Sequence, residues 1–539
     1  MYAYLSIEVI DAVNLTAPSP KRFSTTKGNG MDHLSGSDAA FLHLESPETP
    51  MHVGGLAILE LPAGYTGDFM EDVRNHIQNR MHMAPIFQRK LINMPFDIAN
   101  PIWVMDEDID IDYHIRHVIV PPPATRNTVD KLVARLHSSL LDRSRPLWEM
   151  HILDGLPVPA DLPKGTRYVG LYTKMHHAAL DGMGGQVLME AIMDVTAVPR
   201  AANKRKRRRE AARGDNYGIA ELTASGVMHN VSQSIKLTKN LPKLSRKAFD
   251  MLRQTKNPDG SNFERMNWLA PKTPLNATIT NQRSFARFSI PYADSRKIAK
   301  LNNVSLNDVV MAISGEGMNR YFKDEGFSVE EPMLAAIPVS VRPEGNTELS
   351  NQVSMARMSL ATNIKDPLER LQVIHASSTH AKTLMSDVKS IMPTDFPSIG
   401  APWLMSSIAS TLTRARVANS LPPFANVLIS NVPGPNITLY FAGAKQISTY
   451  PVSIPYHGMG LNITLQSYDG WLDFGVISCQ KLMPDVHELA QHMKEAHKEL
   501  LELTLKAHPE VPKEPKLVEV KIKASKPIEP KPIETVKTK

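Results

Sequence analysis

One cysteine in 539 residues, Cys479, cannot close an intrachain disulfide, which excludes a disulfide-stapled secreted fold and fits a reducing compartment. Cys479 itself reads as a small buried apolar residue. No apolar run reaches the roughly 18 residues that a membrane-spanning helix requires. Glu8 and Asp11 stand where an export signal would be apolar, so the expected location is the cytoplasm. Aromatic residues make up only 6% of the chain, and none of them interleaves with its most basic stretch, so nucleic-acid binding is not expected. The third glycine of a dinucleotide fingerprint, a phosphate loop and a Gly-x-Ser-x-Gly elbow are also missing.

What is present is apolar bulk and an uneven charge. With 42% hydrophobic residues the chain can bury large cores, and its length exceeds that of one compact unit, so two domains are expected. Residues 200–256 hold 15 Lys and Arg against 4 Asp and Glu, whereas the whole chain carries a net charge of only +6. The basic character therefore belongs to one segment, and the remainder is mildly acidic.

Residues 1–30 read as a flexible extension or a start placed upstream of the native one, with Met31 opening the globular pattern. A domain over 31–200 mixes strand-like runs at 52–61 and 167–177 with helical spacing at 129–141 and 185–195. A basic linker follows at 201–274, with surface helices expected at 219–228 and 235–252. A second domain of similar size, 275–505, has a helix at 305–321 and strands at 333–341, 354–361 and 427–430. Pro484 is expected in the first turn of a closing helix over 484–505. Residues 506–539 contain nine Lys, six Pro and no aromatic residue, the composition of a disordered tail. The fold class is thus mixed α/β.

The most informative stretch is 167–190, RYVGLYTKMHHAALDGMGGQVLME. A side-chain period of two places Val169, Leu171, Met175 and His177 on one face of a strand and Tyr168, Tyr172 and His176 on the other. Asp181, Gly182, Gly184 and Gly185 then turn the chain into a helix whose Val187, Leu188, Ala191, Ile192 and Val195 face inward. The outcome is an inward histidine at a strand end beside a tight loop. A lone histidine of this kind is more often an inert core residue than a reactive one.

The spacing His176-His177-x-x-x-Asp181-Gly182 resembles the active-site motif of the wax ester synthase/diacylglycerol acyltransferase family, within the chloramphenicol acetyltransferase-like superfamily. The resemblance extends over most of 31–505. It includes MDHLSGSDAAFLHLESPETPMHVGGL at 31–56, Pro146-Leu147-Trp148, APKTPLN at 270–276, Asn307-Asp308, PVSVR at 338–342 and ISNVPGP at 429–435, all in family order. Ser350 before Asn351 departs from the family's Gly-Asn pair. The resemblance implies two acetyltransferase-like domains with the site in a channel between them. It also implies transfer of a long acyl group from acyl-CoA to diacylglycerol or a fatty alcohol, with no metal and no cofactor beyond acyl-CoA as co-substrate.

In that reading His177 is the general base, His176 supports it, and Asp181 either orients the imidazole or pins the loop. Gly182, Pro146, Leu147, Trp148, Asn307, Asp308, Asn431, Pro433 and Gly434 are the expected substrate-side residues. Trp148 reads equally as core, Asp308 as a helix cap and 430–435 as a plain turn. The superfamily has a structural Asp-Phe-Gly, which accounts for Asp473-Phe474-Gly475 without a kinase. His487, His492 and His497 are stepped by five and cannot share one helix face as zinc ligands. The KRKRRR run at 204–209 suits docking on an anionic membrane or lipid inclusion. The expected location sharpens to the periphery of the inner membrane or of such inclusions. Two other readings keep the sequence facts: the same fold with a polyketide or amine acceptor, and an inactive binder of lipid surfaces.

Overall fold

The computed structural model describes residues 31–180, 182–201, 217–229, 231, 270–340, 353–389 and 422–509. Residues 1–30, the KRKRRR run, the expected helix at 235–252, Asp181, Asn351 and the tail beyond 509 lie outside the described residues.

Two six-stranded sheets carry the fold. The first contains β2 (His52–Glu60), β5 (Ile115–Ile119), β6 (Trp148–Asp154) and β7 (Tyr168–His176) from the N-terminal half. It is completed by β12 (Tyr440–Phe441) and β13 (Ala444–Val452) from the C-terminal half, in the order β12-β13-β2-β7-β6-β5. The second comprises β8 (Arg283–Pro291), β9 (Leu334–Ser340), β10 (Val353–Ser359), β11 (Val427–Val432), β14 (Leu461–Tyr468) and β15 (Trp471–Cys479), in the order β10-β9-β11-β14-β15-β8. A small sheet joins β1 (Asp32–His33), β4 (Ile102–Met105) and β3 (Arg89–Ile92).

Alternation along β2 and β7 decides what each face meets. Leu59, Val169, Leu171 and Met175 pack with Val73 and Ile77 of the helix Phe69–Arg80 and with Leu188 and Ile192 of the helix Gly182–Ile192. Leu56, Ile58 and Tyr172 pack on the opposite side with Val129 and Val133 of the helix Arg126–His137. Phe285, Tyr450, Val452 and Ile477 from the C-terminal half complete that second layer. One core thus spans both halves, and burial at about 25 cal/mol per Å² of apolar surface makes it a main tie between them. The second sheet has its own core, built with the helices Leu306–Asp324 and Val486–Ala507.

Several expectations change. Residues 440–452, assigned to the second domain, are strands of the first sheet: β13 pairs antiparallel with β2, Thr449 opposite Ala57. The helix at 219–229 lies on the surface as expected, with Ile219 and Met228 exposed, and packs Leu222 with Met94, Ile102 and Val104 against the small sheet. Pro484 precedes the closing helix instead of entering it, because Asp485 is the cap and accepts from the N–H groups of His487 and Glu488. Gly184 and Gly185 lie inside a helix that already begins at Gly182, not in a loop. Cys479 is buried, as expected.

Candidate active site at the end of β7

β7 stops at His176, and residues 177–179 turn away toward the next helix. The antiparallel register sets His176 opposite His52, the first residue of β2. One further hydrogen bond continues the ladder, from His177 N–H to Met51 O at 2.8 Å. The backbone of His177 is therefore fixed, while its side chain leaves the sheet and stacks on Phe41, with ring centroids 4.0 Å apart and planes 11° from parallel. Burial is the main reason its pKa is held at about 4; a hydrogen bond to its own backbone opposes the shift and His176 reinforces it. At neutral pH the ring is uncharged and able to accept a proton.

His176 is enclosed (0% exposed) with both ring nitrogens engaged. Nδ1 accepts the N–H of Ala178 at 3.1 Å, so the proton sits on Nε2, which donates to Glu45 Oε2 at 3.1 Å. Burial raises the Glu45 pKa, but the hydrogen bond from His176, the charge of Arg143 and the N–H of Met51 outweigh it and bring the carboxyl to about 2. Arg143 Nε and Nη2 both donate to Glu45 Oε1, at 2.9 and 2.7 Å. Neither Glu45, Arg143 nor Phe41 stood out in the sequence. A carboxylate closing the apolar run FLHLE was the available signal.

Behind this pair lies a second buried polar layer. His52 Nε2 donates to His137 O at 2.7 Å. His137 donates from Nε2 to Ser453 O and accepts the Tyr172 hydroxyl proton at Nδ1, both at 2.8 Å. Lys174 and Glu149 form an ion pair of 3.1 Å with almost no exposure.

Pro146 and Leu147 stand beside the histidines: Leu147 O accepts the N–H of His176 at 3.0 Å, and Leu147 is buried with Leu34, Leu42 and Ala178. Trp148 is core. Its indole N–H reaches Phe87 O at 3.3 Å, and His114 stacks on its face with centroids 4.3 Å apart.

The C-terminal candidates form a second group. Asp308 is the capping-box residue of the helix Leu306–Asp324, accepting from Ser305 N at 2.8 Å and from His375 Nδ1 at 2.7 Å. Its cap role is the one observed. Asn307 stands beside it and accepts from Asn431 Nδ2 at 2.7 Å, which ties the helix start to the end of β11. Pro433 is exposed just beyond that strand. Gly434 is required, since a Cβ there would lie 2.1 Å from Ser467 O.

Asp473-Phe474-Gly475 is structural. Asp473 accepts from Ser289 Oγ at 2.5 Å and Thr449 N at 2.8 Å, and Phe474 stacks on Phe288. Among the described residues one trio, Asp324, Glu488 and His492, has metal-ligand spacing. It sits at the surface, where His492 and Asp324 form an ion pair of 3.0 Å. No helix among the described residues is long and apolar enough to cross a membrane.

The model of the wax ester synthase/diacylglycerol acyltransferase catalytic domain matches residues 34–310, and that of the WS/DGAT C-terminal domain matches 349–501. A Mycobacterium tuberculosis protein named as a diacylglycerol O-acyltransferase is 33% identical over 480 residues, which is 87% of this chain and 99% of that protein. The O-acyltransferase WSD of Acinetobacter baylyi is 32% identical over 465 residues, 85% of this chain and 94% of its own. The solved wax ester synthase/diacylglycerol acyltransferase from Marinobacter aquaeolei VT8 superposes with a TM-score of 0.61 at 25% identity, over 88% of this chain and 99% of that one.

Proposed function

Because this chain belongs to the wax ester synthase/diacylglycerol acyltransferase family, we propose that it transfers a long-chain acyl group from acyl-CoA to diacylglycerol or a fatty alcohol with His177 as general base. The supporting observation is the division of labour between the two histidines. His176 has Nδ1 and Nε2 committed to Ala178 and Glu45 and has no exposure. His177 is half-buried, uncharged at neutral pH and outside the strand.

His177 takes the proton of the acceptor hydroxyl as its oxygen attacks the thioester carbonyl carbon. The C–O bond forms and the carbonyl oxygen becomes an oxyanion. When the tetrahedral species collapses, the C–S bond breaks, and His177 returns the proton to the departing thiolate. Ester and free coenzyme A result, with no covalent enzyme intermediate and no cofactor. Donors to such an oxyanion contribute about 2.7–4 kcal/mol each, and the Asn307–Asn431 pair is the proposed source. Leu147 and Pro146 border the histidines on the acyl side, and Gly182 opens the helix that follows them.

Docking at the inner membrane or at lipid inclusions completes the proposal. The basic stretch 200–256 is the anchor, each Lys or Arg contributing about 1 kcal/mol at an anionic surface. Ile219 and Met228 within that stretch, 72% and 75% exposed, and Phe96, 85% exposed, support an apolar apposition. Purified protein given palmitoyl-CoA with hexadecanol or dipalmitoylglycerol tests the reaction by thiol release and ester analysis. Ester from either acceptor is expected. Turnover confined to amine or carrier-bound acceptors would overturn the proposed acceptor class.

A further inference from the structure

The turn that presents His177 is held from both sides by one carboxylate. Glu45 Oε2 accepts from His176 Nε2 at 3.1 Å and from the backbone N–H of Met51 at 3.0 Å. Met51 O in turn accepts the N–H of His177 at 2.8 Å. His176 Nδ1 accepts the N–H of Ala178 at 3.1 Å. His176, just before His177, and the strand entry opposite it thus meet the same carboxylate directly, and Ala178, just after it, is tied in through the His176 ring. The other oxygen, Oε1, is clamped by two Arg143 donors, and Arg143 Nη2 also donates to Leu42 O at 2.8 Å. The Glu45 side chain is only 4% exposed.

We infer that Glu45 is the positioning residue of the base: it fixes the Nε2–H tautomer of His176 and holds residues 176–178 against Met51, so that the His177 imidazole is aimed before substrates arrive. This rests on His177 being the base. A buried carboxylate with four donors on two oxygens has no spare valence, so its geometry is determined by its partners. Misplacing a reacting group by about 1 Å costs about 10²-fold in rate.

The chemistry of the pair yields a specific rescue. In Glu45→Gln one oxygen becomes an NH2, which must face either Arg143 or the donors of His176 and Met51. Donor meets donor on one side in both orientations. Adding Arg143→Gln removes that conflict, because the amide carbonyl introduced at position 143 accepts from the new NH2 while the amide oxygen at position 45 serves His176 and Met51.

The full-length protein, with palmitoyl-CoA and hexadecanol, provides the test. Glu45→Gln is expected to lower kcat by about 10- to 100-fold with KM for palmitoyl-CoA within about twofold. Glu45→Gln/Arg143→Gln is expected to recover at least about tenfold of that loss. Side-chain ¹⁵N spectra of the wild-type enzyme should place the His176 proton on Nε2. The inference is overturned by wild-type kcat in folded Glu45→Gln, by a kcat loss that only follows the folded fraction, by a folded double variant without recovery, or by the Nδ1–H tautomer in the wild type. The tautomer stands even if a variant fails to fold. Activity retained in His177→Ala would instead overturn the base assignment itself, so the two failures are distinct.

Discussion

The rings of Phe41 and His177 lie face to face, 4.0 Å apart, so that one side of the base is shielded by a hydrocarbon surface. Burial holds the imidazole at about 4, against an ordinary 6.5. A base is inactive when protonated, so kcat/KM should rise as pH increases through about 4 and stay flat toward neutrality. Phe41→Ala admits water to the ring and moves its pKa up, so the acid limb should shift to higher pH. Rate profiles of both proteins between pH 4 and 8 check this; an unmoved limb would remove Phe41 from the account.

Asp130, on the helix Arg126–His137, pairs with Arg287 of β8 at 2.6 Å across the junction of the two halves, both side chains buried. Breaking a buried pair strands a charge, at a cost of about 3–5 kcal/mol. Asp130→Ala should lower the denaturant midpoint accordingly. Asp130→Ala/Arg287→Met should be more stable than the single variant, because no unpaired charge remains. Equal stability of the two would contradict the pairing.

Two glycines separate backbone approach from helix propensity. A Cβ at Gly475 would lie 1.7 Å from Pro451 O, where β15 passes β13. Gly475→Ala should therefore force the strands apart and yield little folded protein. At Gly185, inside a helix, a Cβ meets nothing within 4 Å. Gly185→Ala should be neutral or stabilise by about 0.5–1 kcal/mol. Thermal melts of the pair give the comparison.

Period-two and helical patterning made the central elements legible: β2, β7 and the helices Leu306–Asp324 and Val486–Ala507 all fall on expected runs. The two-faced reading of β7 holds along the strand, with Leu171 and Tyr172 in separate cores, but not at His177, which was expected on the Leu171 face and instead lies beyond the strand end. β13 was not assignable to its sheet, because its alternation fits any half-buried strand and its partner β2 lies nearly four hundred residues away. β1, with two residues, is too short for any period.

The site shows the same division. The double histidine was visible as a motif, and so was its strand. Glu45 and Arg143 were not, because their function arises from hydrogen bonds to residues 131 and 98 positions away. Trp148 stayed open between substrate side and core, because a large aromatic beside a motif serves either, and here Phe87 and His114 enclose it.

The proposed reaction depends on one imidazole accepting a proton from an alcohol beside a bound thioester. Steady-state thiol release from palmitoyl-CoA by His177→Ala, with hexadecanol as acceptor and folding verified by circular dichroism, addresses it without an intermediary. A loss of about 10²- to 10⁴-fold in kcat with little change in KM is expected. Turnover within a few-fold of wild type would contradict the role of His177.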